Sequence, residues 1–264
     1  MEFIMNRTFD AYTLKIIAIV GMILQHTAMI LEEVIPFGLQ IPMHIAGGLT
    51  FPIMAFFLIE GLRRTSNVKK YLGRLFIFAV ISQIPYFWAY DTPWLFPLNV
   101  MFLLFLGLLM IHLHETMKKR GLFWVLFVVF LLVSFAMEWG GIGLIAILMY
   151  KIITNEDKRR FWPAFTLTLI SVILGLLGLG AVALLNALKA APEFADLFIG
   201  IDMEVITYQA MALSIFFGLG HFLVTFFLKR YNNERGKNMK YLFYVIYPLH
   251  FAVLGLIALV LGLR

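Results

Sequence analysis

Apolar stretches follow one another along almost the whole of this chain, broken only by short polar loops, and most approach the length a helix needs to cross a bilayer. A hydrocarbon core about 30 Å thick is crossed by roughly 20 helical residues. Backbone groups inside it must be paired within their own segment, so such stretches read as helices. They fall near 14–31, 44–62, 71–88, 98–114, 121–137, 139–152, 161–186, 206–228 and 241–262. The sixth is short and opens on Trp139-Gly140-Gly141, which predicts a tilted or broken helix. Only 14% of the 264 residues are charged and 62% are hydrophobic, whereas a soluble domain carries about 25% charged residues. The expectation is an all-α polytopic integral membrane bundle of about nine transmembrane helices, forming a single membrane domain over 1–264. The first apolar run is long enough to span and has no small-residue cleavage site, so it reads as a retained helix.

The basic residues test this parsing. With the N-terminus in the cytoplasm, the segments 63–74, 118–120, 151–160 and 229–240 face inward and hold five, three, four and five Lys or Arg. Arg7 and Lys15 lie at the inner end of the first span, so that 19 of 21 basic residues share one side. That asymmetry predicts an odd number of spans, with the N-terminus in and the C-terminus out. Glu32, Glu33, Asp91, Glu138, Glu193, Asp196, Asp202 and Glu204 fall in the opposite loops, the longest of which, 187–205, is expected to be interfacial. The net charge of +6 is accounted for by these topogenic loops, and no nucleic-acid partner is expected. The chain has no Cys, which excludes disulfides, thiolate metal sites and a thioester on the protein. No metal-type cluster and no phosphate-binding Gly loop is present, so no metal is expected.

Ionisable groups in hydrocarbon are costly and mark candidate sites. His26 lies in the outer half of the first span between Gln25 and Thr27, and His250 lies one turn after Tyr247 on the same face of the last. Glu60 ends the second span just before Arg63 and Arg64, and Asn99 opens the fourth. Glu60 has a structural alternative, a salt bridge with Arg74. His44, His112 and His114 sit at span ends and are expected to be interfacial, and His221 is expected to bond between helices.

Several segments resemble the TraX family, named for F-pilin acetylation. They are Leu14 to Ala18 with Gln25-His26; Phe51-Pro52 to Glu60-Gly61; Lys69-Lys70-Tyr71, Arg74 and Ser82-Gln83-Ile84-Pro85; Asn99 with Leu106 to Leu109; Glu138-Trp139-Gly140 with Gly143; and Tyr241 with Tyr247-Pro248 and His250. The resemblance implies a membrane-embedded acetyltransferase of the bacterial plasma membrane that uses acetyl-CoA. It also implies a distant similarity to larger membrane acyltransferases, in which a membrane His corresponding to His26 is the base. Relatives often carry Asp before that His, and this chain carries Gln25.

On this basis His26 is expected to act as general base, with His250, Tyr247 or Asn99 donating to the oxyanion. Gln25 and Glu60 complete the candidate catalytic set. Arg63, Arg64, Lys69, Lys70 and Arg74 are expected to hold the acetyl-CoA phosphates. The expected partners are acetyl-CoA, membrane lipid and an acceptor that is a peptide or a lipid-linked group. Two alternatives stay open: a proton-coupled transporter using His26, Glu60 and His250, and a non-catalytic scaffold for a membrane peptide.

Overall fold

A computed structural model describes residues 8–92, 96–190, 208–238 and 241–263. Among them there is no strand, only two isolated parallel bridges, and ten helices make up the fold. These are α1 (Ala11–Ile30), α2 (Phe37–Gly48), α3 (Thr50–Arg64), α4 (Val68–Tyr90), α5 (Val100–Thr116), α6 (Arg120–Ser134), α7 (Gly140–Ile152), α8 (Glu156–Ala190), α9 (Tyr208–Lys229) and α10 (Leu242–Val260). Six helical segments are long and apolar enough to cross a membrane, with α2 and α3 together forming one of them. The helices α5, α6 and α7 are apolar but shorter. Beyond Ala190 the expected interfacial segment lies outside the described residues, as do Arg7, Lys240 and Arg264.

Local chemistry explains where helices begin. Asp10, Asn67 and Asn99 cap α1, α4 and α5 by accepting the N–H groups of Thr13 (2.7 Å), Lys70 (2.9 Å) and Met101 (3.0 Å), each satisfying one of the donors a helix start leaves unpaired. The Thr13 N–H also holds the Asp10 carboxyl below the usual carboxylate range.

The second apolar segment starts seven residues earlier than its composition predicts, at Phe37 rather than residue 44, and is interrupted at Leu49. The interruption has a chemical cause. Pro52 has no N–H, so the Gly48 carbonyl loses its usual helical donor. The His221 Nδ1 supplies the replacement from α9 at 2.6 Å. That bond is possible because α2 and α9 nearly touch: a Cβ on either Gly48 or Gly220 would meet the other's Cα at 2.8 Å. Small residues at such crossings are what lipid-embedded helices use to approach closely. His221 is therefore the interhelical bonder expected of it.

The α2 helix lies between α1 and α9, and α9 packs along α8. On the other side α4 lies between α10 and α5, while α1 touches both α3 and α10. The buried centre is built from α1, α3, α5 and α7, with Leu14, Ile53, Phe56, Met101, Leu108 and Ile147 almost fully enclosed. The periphery is strongly apolar: Ile84 on α4, Leu132 on α6, Leu177 on α8 and Val260 on α10 are all more than half exposed. Such a surface suits hydrocarbon and is poorly suited to water.

Candidate active site

Two histidines from opposite ends of the sequence meet in the bundle. His26 of α1 and His250 of α10 are both more than nine-tenths buried. The His26 Nδ1 lies 2.7 Å from the His250 Nε2, with the rings nearly parallel. The hydrogen-bond partners settle the proton positions. The His250 Nδ1 lies 3.1 Å from the Ile246 carbonyl, which can only accept, so this nitrogen carries the proton. In a neutral imidazole Nε2 is then an acceptor, and the His26 Nδ1–H donates to it. Among the described residues the His26 Nε2 makes no hydrogen bond, and its lone pair is in the form a general base requires. Phe251 packs on both rings, Tyr90 meets His26 edge-on and Tyr247 lies against His250.

His26 opens onto a small chamber of about 30 Å³, which Gln25, Gly47, Thr50, Phe51, Glu138 and Tyr247 also line. The Tyr247 hydroxyl is fully buried there and, among the described residues, makes no hydrogen bond of normal geometry. Glu138 reaches the chamber from the α6–α7 connection, its Oε2 accepting the Val100 N–H at 2.9 Å. A bridge between two loops sets this position: the Leu98 N–H donates to the Ala136 carbonyl and the Glu138 N–H to the Leu98 carbonyl, both at 2.8 Å. Glu138 was legible in the sequence as a loop charge and as part of the Glu138-Trp139-Gly140 segment of the TraX resemblance, but nothing in its local pattern places it beside a histidine more than a hundred residues away.

The chamber has a neighbour on each side. Met54, Leu104 and Phe243 line both the chamber and a cavity of about 210 Å³ bearing Tyr12, Lys15, Arg74, Arg235 and Lys237. A second basic cavity of about 470 Å³ adjoins it and shares Lys15, Arg74 and Arg235, adding Arg64 and Lys70. In the other direction Gln25 lines both the chamber and a cavity of about 680 Å³ with Glu32, Glu33, Gln40, His44 and Tyr90 on its walls. Cavities of opposite charge thus flank the histidine pair.

Not every candidate residue reaches this site. Asn99 is fully occupied elsewhere: its Oδ1 caps α5 and its amide nitrogen donates to the Gln83 Oε1 at 2.6 Å and the Ala79 carbonyl at 2.9 Å. It has no donor left for an oxyanion. His250 spends its Nε2 on His26 and its Nδ1 on Ile246, so it supports the base rather than donating to the chamber. Glu60 lies on the basic cavity, not the chamber, and pairs with Arg63 (3.3 Å), Arg64 (3.7 Å) and Arg159 (3.2 Å) rather than with Arg74. Arg74 instead lies over the Tyr71 ring and lines both basic cavities. Of the five candidate cations, Arg64, Lys70 and Arg74 face these cavities, whereas Arg63 and Lys69 do not line them.

Lys15, Arg235 and Lys237 are the cations that sequence reasoning missed. The last two are carried by the 230–238 loop, which is tied down at several points. The Phe9 N–H donates to the Arg230 carbonyl at 3.1 Å and the Asn232 N–H to the Phe9 carbonyl at 2.9 Å. The Arg64 and Arg160 guanidiniums donate to the Asn233 carbonyl at 3.2 Å and its Oδ1 at 2.9 Å. Burial pushes the Tyr231 phenol, beside Arg64 in this loop, above its ordinary range.

The family described as "TraX protein" matches residues 10–258, almost the whole described chain. The chain belongs to the TraX family. A curated relative from Dichelobacter nodosus, named "Probable fimbrial assembly protein FimC, serogroup H1", is 27% identical over 260 residues, covering 94% of this chain and 96% of its own length. No solved structure matches. The TraX match takes in both histidines, Glu138 and the cationic residues of both basic cavities.

Proposed function

We propose that this TraX-family protein is a membrane-embedded acetyltransferase. It moves an acetyl group from cytosolic acetyl-CoA to an amine, such as the amino terminus of a small membrane or secreted peptide, or to a hydroxyl. The observation that carries this reading is a basic cavity that shares the walls Met54, Leu104 and Phe243 with a buried chamber, into which His26 presents an Nε2 lone pair.

In this reading the six long apolar segments and the three shorter helices are the nine crossings, with the N-terminus in the cytoplasm and the C-terminus outside. The lysine and arginine asymmetry supports that orientation. The protein then lies in the bacterial plasma membrane with its basic cavities facing the cytosol. Arg74, Arg235, Lys237 and Lys15 hold the nucleotide phosphates, arginine being suited to bidentate contacts. The pantetheine arm passes Met54, Leu104 and Phe243 and delivers the thioester to the chamber. The acceptor enters from the opposite cavity, past Gln25.

The His26 Nε2 takes a proton from the acceptor N–H or O–H as its nitrogen or oxygen attacks the thioester carbon. The Tyr247 hydroxyl donates to the oxyanion that forms. Collapse breaks the C–S bond, and the thiolate leaves with the proton held on His26. His250 shares the charge of the imidazolium through the Nδ1–H bond while the proton is in transit.

Because the chain has no Cys, a thiol reagent detects released coenzyme A without a protein background. In detergent, His26→Ala is expected to lower kcat by about 10²–10⁴-fold, with acetyl-CoA binding kept. Neutralising Arg74 and Arg235 together is expected to weaken binding, increasingly so at low salt. Folded wild-type protein that neither binds nor turns over acetyl-CoA would overturn the proposal and leave transport or scaffolding. Turnover that survives His26→Ala would remove His26 as the base.

A further inference from the structure

When His26 takes a proton, a positive charge appears in a buried chamber whose walls are mostly aromatic and aliphatic. Uncompensated charge in such surroundings is costly. Gln25, next to His26, can orient the ring but brings no charge, and His250 is neutral when it accepts the Nδ1–H. Among the described residues lining the chamber, Glu138 is the one acidic side chain.

We propose that Glu138 is the positioning residue that balances the His26 imidazolium, a role this chain gives to a loop carboxylate instead of the residue preceding the histidine. The inference rests on the acetyltransferase reading above. Three observations support it. The first is placement: the bridge between Leu98 and Met137 fixes Glu138 from its own backbone, and the Val100 N–H fixes its Oε2. The second is company. Tyr247 of α10 lines the same chamber as Glu138, and among the described residues no cation does. The Tyr247 ring packs against His250, and its buried hydroxyl faces the same chamber as Glu138. The third is strain. Trp139, the next residue, has φ of 69°, a left-handed conformation unfavourable for a bulky side chain. Strain of that kind persists where surrounding structure holds a functional group in place.

A cap for α5 is the competing role, since the Val100 N–H is one of that helix's unpaired donors. Asn99 already caps the helix through the Met101 N–H, and capping needs only an acceptor oxygen, not a charge. Glutamine keeps that oxygen, so substitution separates the two roles.

The test uses the full-length protein in detergent, with acetyl-CoA as donor and either water or a short peptide with a free amino terminus as acceptor. Glu138→Gln is expected to lower kcat by about 10- to 100-fold, the size of effect that supporting carboxylates have on the histidines they serve. KM for acetyl-CoA and the melting temperature are expected to stay near wild type. Glu138→Asp, which keeps the charge, is expected to recover part of the rate. Wild-type kcat in Glu138→Gln would overturn the assignment while leaving the acetyltransferase reading intact. Loss of thermal stability and of acetyl-CoA binding together in both variants would assign Glu138 to capping and also overturn it. Folded wild-type protein without turnover would overturn both readings.

Discussion

Replacing His250 with Leu removes the acceptor for the His26 Nδ1–H and leaves that donor buried without a partner. The bond is 2.7 Å long and both rings are more than nine-tenths buried, so water is poorly placed to substitute. In the resting state an orphaned donor of this kind costs about 1–3 kcal/mol. In the transition state the loss is larger, because the bond becomes charge-assisted as His26 gains a proton, and bonds to charged groups are worth about 1.5–3 kcal/mol. If that stabilisation is felt in the transition state alone, kcat falls by roughly 10- to 150-fold. His250→Gln places an amide oxygen near the Nε2 position and is expected to recover part of the loss. The assay is thiol release from acetyl-CoA alongside thermal melting of each variant in detergent. Wild-type kcat in His250→Leu, in a background where His26→Ala is inactive, would refute the paired-histidine argument. Equal rates for the Leu and Gln variants would show that the accepting atom at this position does not matter.

Two further predictions concern the frame around the site. Glu60→Gln leaves the Arg159 guanidinium, 3% exposed, without its carboxylate and is expected to cost about 3 kcal/mol, the low end for breaking a buried pair. A lower melting temperature with His26-dependent turnover retained is the expected result, and a specific loss of kcat at unchanged stability would restore Glu60 to the chemistry. Gly220→Ala inserts a methyl group where the Gly48 Cα would lie at 2.8 Å. Overpacking is expected to outweigh the better helix propensity of Ala and cost about 1–2 kcal/mol net; an unchanged or raised melting temperature would refute the close crossing of α2 and α9.

The succession of long apolar runs by itself determined that this chain folds into helices suited to a membrane, because a bilayer leaves the backbone few other ways to pair its polar groups. Helix positions followed closely: α1, α4 and α10 begin and end within three residues of the apolar runs 14–31, 71–88 and 241–262. The start of α2 was not legible, because Pro36, Gly38 and Pro42 interrupt the apolar run with helix breakers, and the segment is helical where it packs between α1 and α9. The roles of individual residues depended more heavily on tertiary contacts. His26 and His250 stood out as buried polar groups, but their direct bond, and with it the proton on each nitrogen, exists only once α1 and α10 are packed together. Asn99 looked like a chamber donor in the sequence and became a helix cap because α4 brings Gln83 and the Ala79 carbonyl to its amide. Glu138 stood in the sequence as a loop charge within a segment of the TraX resemblance, without an assigned role, and entered the chamber because two separate connections hydrogen-bond to each other. Hydrophobic pattern is local and can be read along one segment, whereas a hydrogen-bond partner is a property of two segments, and only their packing decides which groups meet.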